Sequence, residues 1–511
     1  MFKSLKAFGA VSIFAAAAGL LAISSPVQAH EPHVCPDWYP DSANMPGHIE
    51  QGDVVAGAYS LQDMVSHGET LFVGVYNKCD GQGRPATTGA GAKRIADEPA
   101  FIRTSAPESN SCAGCHAQPR AGGAGDFVAN VFVLAQVRDP VTTSVSEDDS
   151  NERNTLGMFG ASAIELLSRE ISTELQALRN AAIDGAAQTG LPQTVSLDSK
   201  GVNYGSLVAY PNGVVDTAGV EGVDANLVIK PFHQAGVVVS LREFTVNALN
   251  HHHGMQAEER FDMVLGDPDF DEDGITRELT VGDVTAAVMF QASLGVPGRV
   301  LPANPEKRAT IDRGEMLFSD IGCASCHVPA MALNSSVFSE PNPFNPAGTW
   351  ADTSMSFSID LAKQGEGPHL EGLPGQAGAL VRAYTDLKRH NLCDAEIDYF
   401  CNEQFDQGRP AHGGAPGAHF FLTRKLWDVA NSAPYGHRGD LTTITDAIDV
   451  HGGEARSSRD AFQAMAIADQ AAVVAFLKTL RVLPAGSPPV VIEGKEGRLA
   501  AADNMTVKGK K

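Results

Sequence analysis

The chain has 511 residues, 43% of them hydrophobic, and 61 acidic against 38 basic residues give a formal charge of -23. That length allows two or three domains with sizeable cores. The acidic balance argues against nucleic acid or an anionic membrane as partner; it would attract a basic partner such as a small cationic electron carrier, and it equally serves plain solubility.

A short basic start (Lys3, Lys6), an apolar run from Ala7 to about Ile23 and the small-residue ending Val27-Gln28-Ala29 predict a cleavable export signal over 1–29. The mature chain would begin near His30, in the periplasm. The apolar run is short for a spanning helix and nothing later approaches 18 apolar residues, so stable membrane insertion is not expected. Export makes the eight cysteines meaningful, because disulfides persist outside the cytoplasm. Four of them form two CxxCH motifs. Cys35, Cys79, Cys393 and Cys401 can pair as Cys35 with Cys79 and Cys393 with Cys401, a connectivity that spacing alone leaves open.

A polar stretch to about Asp53 precedes a predicted helix over 56–76 and a Gly-rich loop, after which comes the first CxxCH at 112–116. The apolar spacing over 156–182 predicts an amphipathic helix. Val-rich alternating pieces and Asn-Gly turns over 194–240 predict short strands, a β elaboration on a helical protein. Helical pattern returns from Leu241 through the histidine run at 251–253, and again over 281–294. Pro297, Pro302 and Pro305 mark a boundary, and a helix over 312–318 leads into the second CxxCH at 323–327. A Pro- and Gly-rich, loop-like region runs to about Pro416. A helix over 444–450, a final amphipathic helix over 460–480 and a disordered tail from 485 to 511 complete the chain. No internal repeat is visible beyond the two motifs. The expected fold is mainly α, with two haem domains over 30–300 and 301–484.

In CxxCH the thiols are spaced so that each can add to one haem vinyl group while the adjacent histidine turns its imidazole to the iron. Cys112, Cys115 and His116 meet that demand, and so do Cys323, Cys326 and His327, predicting two covalently bound haems c. Structural zinc wants four ligands, and no second matched pair lies near either motif. A second axial ligand decides whether each haem carries electrons or does chemistry. His252, His253 and Met255, within the run from Asn250 to Gln256, are distal candidates, as is His390. Gln256, Glu258 and the neighbouring Glu259 are candidates for the acid and base that split a bound peroxide, and His437 is a further catalytic candidate. His451 stands among loop histidines whose bland reading is a hydrogen-bonded side chain, and Met465 reads as packing. Asp269, Asp271 and Asp273 with Gly274 resemble the start of a calcium loop. The twelfth position is Thr280 where a bidentate Glu belongs, so Glu278 or Asp283 would have to substitute.

Together these motifs resemble the di-haem cytochrome c peroxidase superfamily, and within it the di-haem thiol oxidoreductase or peroxidase branch. The residues that carry the resemblance are CysAlaGlyCysHis at 112–116, IleGlyCysAlaSerCysHisValPro at 321–329, LeuTrpAspValAlaAsnSerAlaProTyrGlyHisArgGlyAsp at 426–440, HisGlyGlyGluAla at 451–455 and AlaPheLeuLysThrLeu at 475–480. The resemblance implies two cytochrome-c-like helical domains facing each other, with one haem passing electrons to the other, where hydrogen peroxide is reduced. It also implies a calcium ion between the domains and a small c-type cytochrome or other periplasmic donor. Two departures stand out. HisArgGly at 437–439 replaces the usual HisAspGly, and HisAsnLeu at 390–392 removes the methionine that the branch carries in that loop. A non-enzymatic di-haem electron carrier, or an oxidase of a protein side chain or organic substrate through high-valent haem iron, remains as an alternative to the peroxidase.

Overall fold

The computed structural model describes residues 43–83, 109–126, 128–130, 152–270, 273–401 and 419–493. The predicted export signal, Cys35, Asp271 and the final residues 494–511 lie outside them. No helix among the described residues is long and apolar enough to cross a membrane.

The fold is mixed α/β, a correction to the expected mainly α class. Helices α1 (Gln51–Val55) and α2 (Leu61–Val73) are separate, because the chain turns at Gly57 in the left-handed region and restarts where Ser60 and Asp63 form a capping box. They are followed by α3 (Cys112–Cys115), α4 (Ala161–Thr189), α5 (Leu241–Ala248), α6 (Val281–Ser293) and α7 (Pro305–Asp320). The predicted last helix is two, α8 (Ile444–Asp449) being followed by α9 (Arg456–Ala464) and α10 (Ile467–Leu477) around an extended break at Met465 and Ala466.

Six small sheets are found among the described residues. The predicted β elaboration is the antiparallel set β3 (Gln193–Ser199), β4 (Val202–Ala209) and β5 (Val215–Asp216), following the pair β1 (Val128–Asn130) and β2 (Glu152–Asn154). The region predicted as loop pairs repeatedly, as in Val337–Glu340 with Phe357–Asp360 and Arg389–Asn391 with Phe420–Leu422. Strands of three or four residues show too little alternation to be read from sequence. The tail is also corrected: Val490–Glu493 runs parallel to Gly298–Pro302, and Leu480–Arg481 pairs with that strand antiparallel.

An internal repeat that the sequence hides emerges from helix packing. α2 crosses α6 where a methyl group on Gly68 would land on the Ala286 carbonyl, and α7 crosses α10 where one on Gly314 would land on the Ala472 carbonyl. Four residues beyond each contact point, aromatic rings meet, Phe72 with Phe290 at 5.1 Å and Phe318 with Phe476 at 5.5 Å. Backbone-to-backbone approach of this kind tolerates no side chain. Gly314→Ala is therefore expected to cost about 1–3 kcal/mol as an overpacked contact, seen as a lowered urea midpoint with an unchanged slope.

Two buried polar centres tie the helices together. Arg242 of α5, fully buried, donates to Glu259 at 3.0 Å, to Glu340 at 3.3 Å, to the Thr285 hydroxyl at 2.9 Å and to the Val281 carbonyl at 2.9 Å. Arg169 donates to Glu165 at 3.1 Å, and the other Glu165 oxygen accepts from the Leu241 N–H at 2.7 Å. Glu259 thus balances a buried guanidinium and is not the acid or base that the sequence suggested.

The second centre is Asp283, whose carboxylate accepts from His48 at 2.6 Å, His67 at 2.8 Å, the Ile49 N–H at 3.0 Å and the Thr280 N–H at 3.1 Å. Burial opposes its ionisation, but these donors outweigh burial and hold it far below the ordinary carboxylate range. The same contact raises His48, with burial opposing. The depressed Asp283 contributes stability above about pH 4, which is lost as acid titrates it. The raised His48 contributes stability below about pH 6.5, which is lost as pH rises through its folded value. Asp283→Asn is expected to cost about 1.5–3 kcal/mol between those limits, with the gap to wild type closing in acid when urea midpoints are compared across pH.

Candidate functional site

Each CxxCH motif is set at the end of the first helix of a crossing pair. Ser111 anchors the first by donating to the Phe72 and Val73 carbonyls at the end of α2, at 3.3 and 3.1 Å. The second follows α7 directly, with Gly322 in the left-handed region turning the chain into a short helical turn at Cys323–Ser325. In both, the Nδ1 of the motif histidine meets a backbone carbonyl, His116 with Gly123 at 3.3 Å and His327 with Tyr384 at 3.1 Å. In both, a phenylalanine ring lies beside it, Phe72 and Phe318 each at 6.3 Å. A carbonyl at Nδ1 fixes the proton there and leaves Nε2 with its lone pair, the tautomer that a metal-binding imidazole needs. Burial pushes His116 and His327 down to about 4, so both rings are neutral at pH 7.

The two motifs open on one continuous cavity of about 1030 Å³. Its lining is mostly apolar, with four Arg and Lys side chains, Arg153, Arg424, Lys425 and Arg459, and eight imidazoles, among them His233 and His451. Lys425 donates to the Gly157 carbonyl at 2.7 Å, and burial together with Arg424 pushes its ammonium down to about 7. Cys112, Cys115, Cys323 and Cys326 form no disulfide, and burial pushes the Cys112 thiol up to about 12 and that of Cys323 to about 11. A large apolar space, two thiol pairs, two imidazoles of fixed tautomer and cations that suit carboxylates make a donor set that fits two haems.

The predicted ligands divide. His252 and His253 line the cavity, and His253 is pinned beside the first motif, with Nδ1 on the Ser109 carbonyl at 2.6 Å and Nε2 3.3 Å from the Cys112 sulfur. His437 lines it too, its ring enclosed by Tyr399, Phe400 and Phe421 with centres at 4.9, 5.3 and 5.1 Å. His390 reaches the cavity but commits both nitrogens, Nδ1 to Glu454 at 2.7 Å and Nε2 to Asp386 at 2.8 Å. Burial opposes charge there, yet Asp386, Cys326 and Glu454 push the ring up to about 11, and with both nitrogens on carboxylates it turns neither toward a haem.

Several calls are corrected. Met255 is fully buried in the main core and takes no part in the cavity wall. Gln256 donates to Glu278 at 2.8 Å and accepts from the Phe270 N–H at 2.9 Å, away from the cavity. Glu258 accepts from the Val281 N–H at 2.8 Å, at the start of α6, and pairs with Arg277 at 3.4 Å. Both residues shape a turn, and neither faces a substrate space. In the candidate calcium loop Asp269 accepts from the Asp273 N–H at 3.0 Å and Asp273 from the Ile275 N–H at 2.8 Å. The proposed substitutes are spent elsewhere, Glu278 on Gln256 and Asp283 on its two histidines. The sulfurs of Cys393 and Cys401 meet at bonding distance, and Met465 packs on the second core as read.

Sequence reading missed His233, Arg153 and Lys425. His233 sits at a left-handed turn, which no local pattern announces for a histidine. Lys425 lies one residue before the Leu-Trp-Asp element, and only the fold turns it inward.

The family described as "Di-haem oxidoreductase, putative peroxidase" matches residues 356–480. That span holds the elements at 426–440, 451–455 and 475–480 but neither CxxCH motif. No curated protein matches the chain. Among solved structures, a Kuenenia stuttgartiensis hydrazine synthase pressurised with xenon is similar at 12% identity, with 94% of this chain and 100% of that chain covered and a TM-score of 0.33; that score does not establish a shared fold.

Proposed function

We propose that this chain, whose residues 356–480 belong to the di-haem oxidoreductase family, is an exported c-type di-haem oxidoreductase that reduces hydrogen peroxide at one of its haems. The observation that carries the reading is the pair of CxxCH motifs, each with its histidine held at Nδ1 by a carbonyl, opening on one cavity. Cys112 and Cys115 would hold one haem and Cys323 and Cys326 the other, with His116 and His327 as the proximal ligands. Bound haem supplies the one-electron chemistry that side chains cannot.

The protein's own part is positioning, charge and protons. Arg153, Arg424 and Arg459 supply cations in a mostly apolar space, where carboxylates of a cofactor would meet them. His437, buried within its aromatic enclosure at the cavity, is suited to hold or move a proton during peroxide reduction. The charge of -23 suits a small cationic cytochrome as donor, which would be steered to the surface at low ionic strength. The carrier alternative is favoured by the number of imidazoles on the cavity, which would suffice to close both sites.

The test is hydrogen peroxide turnover by the half-reduced protein with a reduced small cytochrome c as donor, followed by absorbance. Donor oxidation that requires peroxide and both His116 and His327 is the expected result. No turnover with both haems low-spin throughout would leave a carrier, and no turnover with one haem high-spin would point to another substrate.

A further inference from the structure

Resting on the two-haem reading, we infer that His451 is the second axial ligand at the Cys323–His327 site, which closes that site. Ring geometry carries the argument. With metal–imidazole bonds of about 2.0 Å and each ring centre about 1.2 Å behind its nitrogen, two imidazoles on opposite sides of one metal have centres roughly 6.4 Å apart. The His327 and His451 centres are 6.5 Å apart.

The tautomer agrees. His451 Nδ1 lies 2.7 Å from the Ala447 carbonyl, one helical turn back, which leaves Nε2 as the nitrogen with a lone pair. His327 has the same arrangement with Tyr384, so the two rings form a matched pair, each oriented by one carbonyl. Gly453 makes the loop possible. It sits in the left-handed region, and a methyl group there would strike the Asn391 carbonyl, while one on Gly452 would crowd the Leu392 carbonyl. The turn at 452–453 is thereby pressed against the 391–392 strand end and His451 is held at the cavity wall.

His390 and Met465 are excluded by what they already do, and His437, packed among Tyr399, Phe400 and Phe421, is separated from His451 by the variants below. His390 gives both nitrogens to carboxylates. Met465 packs in the second core and takes no part in the cavity wall.

Electron paramagnetic resonance and optical spectra of the ferric, haem-loaded chain test the inference independently of turnover. His451→Ala should convert one of the two haems from low-spin to high-spin, and added imidazole should restore it. His451→Met should keep that haem low-spin, introduce a methionine–iron charge-transfer band and raise its midpoint potential, as Met/His ligation does. Low-spin signals unchanged in His451→Ala, in protein whose circular dichroism is native, would overturn the inference, as would the same conversion produced by His437→Ala. Peroxide turnover is read on the same samples. The expected spectra without turnover would overturn the peroxidase reading alone, and turnover with unchanged spectra would overturn the ligand assignment alone.

Discussion

Arg242→Leu is expected to lower the stability of the folded chain by about 3–5 kcal/mol, the cost of leaving buried carboxylates without their cation. Glu259 and Glu340 both lie against this guanidinium and both are almost wholly excluded from water. Burial pushes the Glu340 carboxyl upward, Glu165 adding to it and Arg242 opposing it. Removing Arg242 takes away the largest opposing influence. Because its folded value is raised, Glu340 favours the folded state in acid and loses that contribution as pH rises. The deficit of the variant should therefore narrow on acidification. Chemical unfolding at several pH values checks both points, and a second variant, Arg242→Leu with Glu259→Gln and Glu340→Gln, should recover part of the loss if unpaired charge is the cause. A loss that is independent of pH and unrelieved by the glutamines would point to packing alone.

On the proposed reading, Cys323→Ala with Cys326→Ala is expected to leave one covalently bound haem where the wild type would carry two, and to bring peroxide-dependent oxidation of the donor to background. The reasoning is that His327 alone supplies one coordinate bond, while the thiols supply the linkages that survive unfolding. Haem retained by the acid-denatured chain, compared with protein by absorbance, reads the first effect directly. Full turnover with half the haem would show that the two sites do not work in series. A chain that keeps two haems after denaturation would show that the linkage lies elsewhere.

How far the sequence foretold this arrangement depends on the range of the signal. The CxxCH motifs are local, and the grouping of two thiols with an imidazole is legible in five residues. Helices α4 and α6 follow from long apolar periodicity; α6 begins where the pattern put it, after Thr280, whereas α4 starts later than the pattern, behind Gly160 in the left-handed region, and runs on to Thr189. Gln256 and Glu258 failed as catalytic candidates because nearness to a histidine run in sequence says nothing about direction; after His253 the chain turns at Gly254 and carries them away from the cavity. His390 and His451 looked alike as loop histidines. What separates them is two carboxylates around one and a single carbonyl behind the other, contacts made across the fold. The Gly68 and Gly314 crossings were hidden because a lone glycine in a helical pattern reads as a weak position.

Those crossings also govern when the thiols can be reached. Each joins two helices far apart in the chain, so a long loop must close before the contact rewards it, and folding rates fall as such separations grow. The cysteines follow the first helix of each pair, whereas the helix that completes the wall arrives last. If both thiol pairs take up a large flat group, that step would belong to the interval before α6 and α10 dock, while the thiols still stand on a half-formed scaffold and the cavity has not closed.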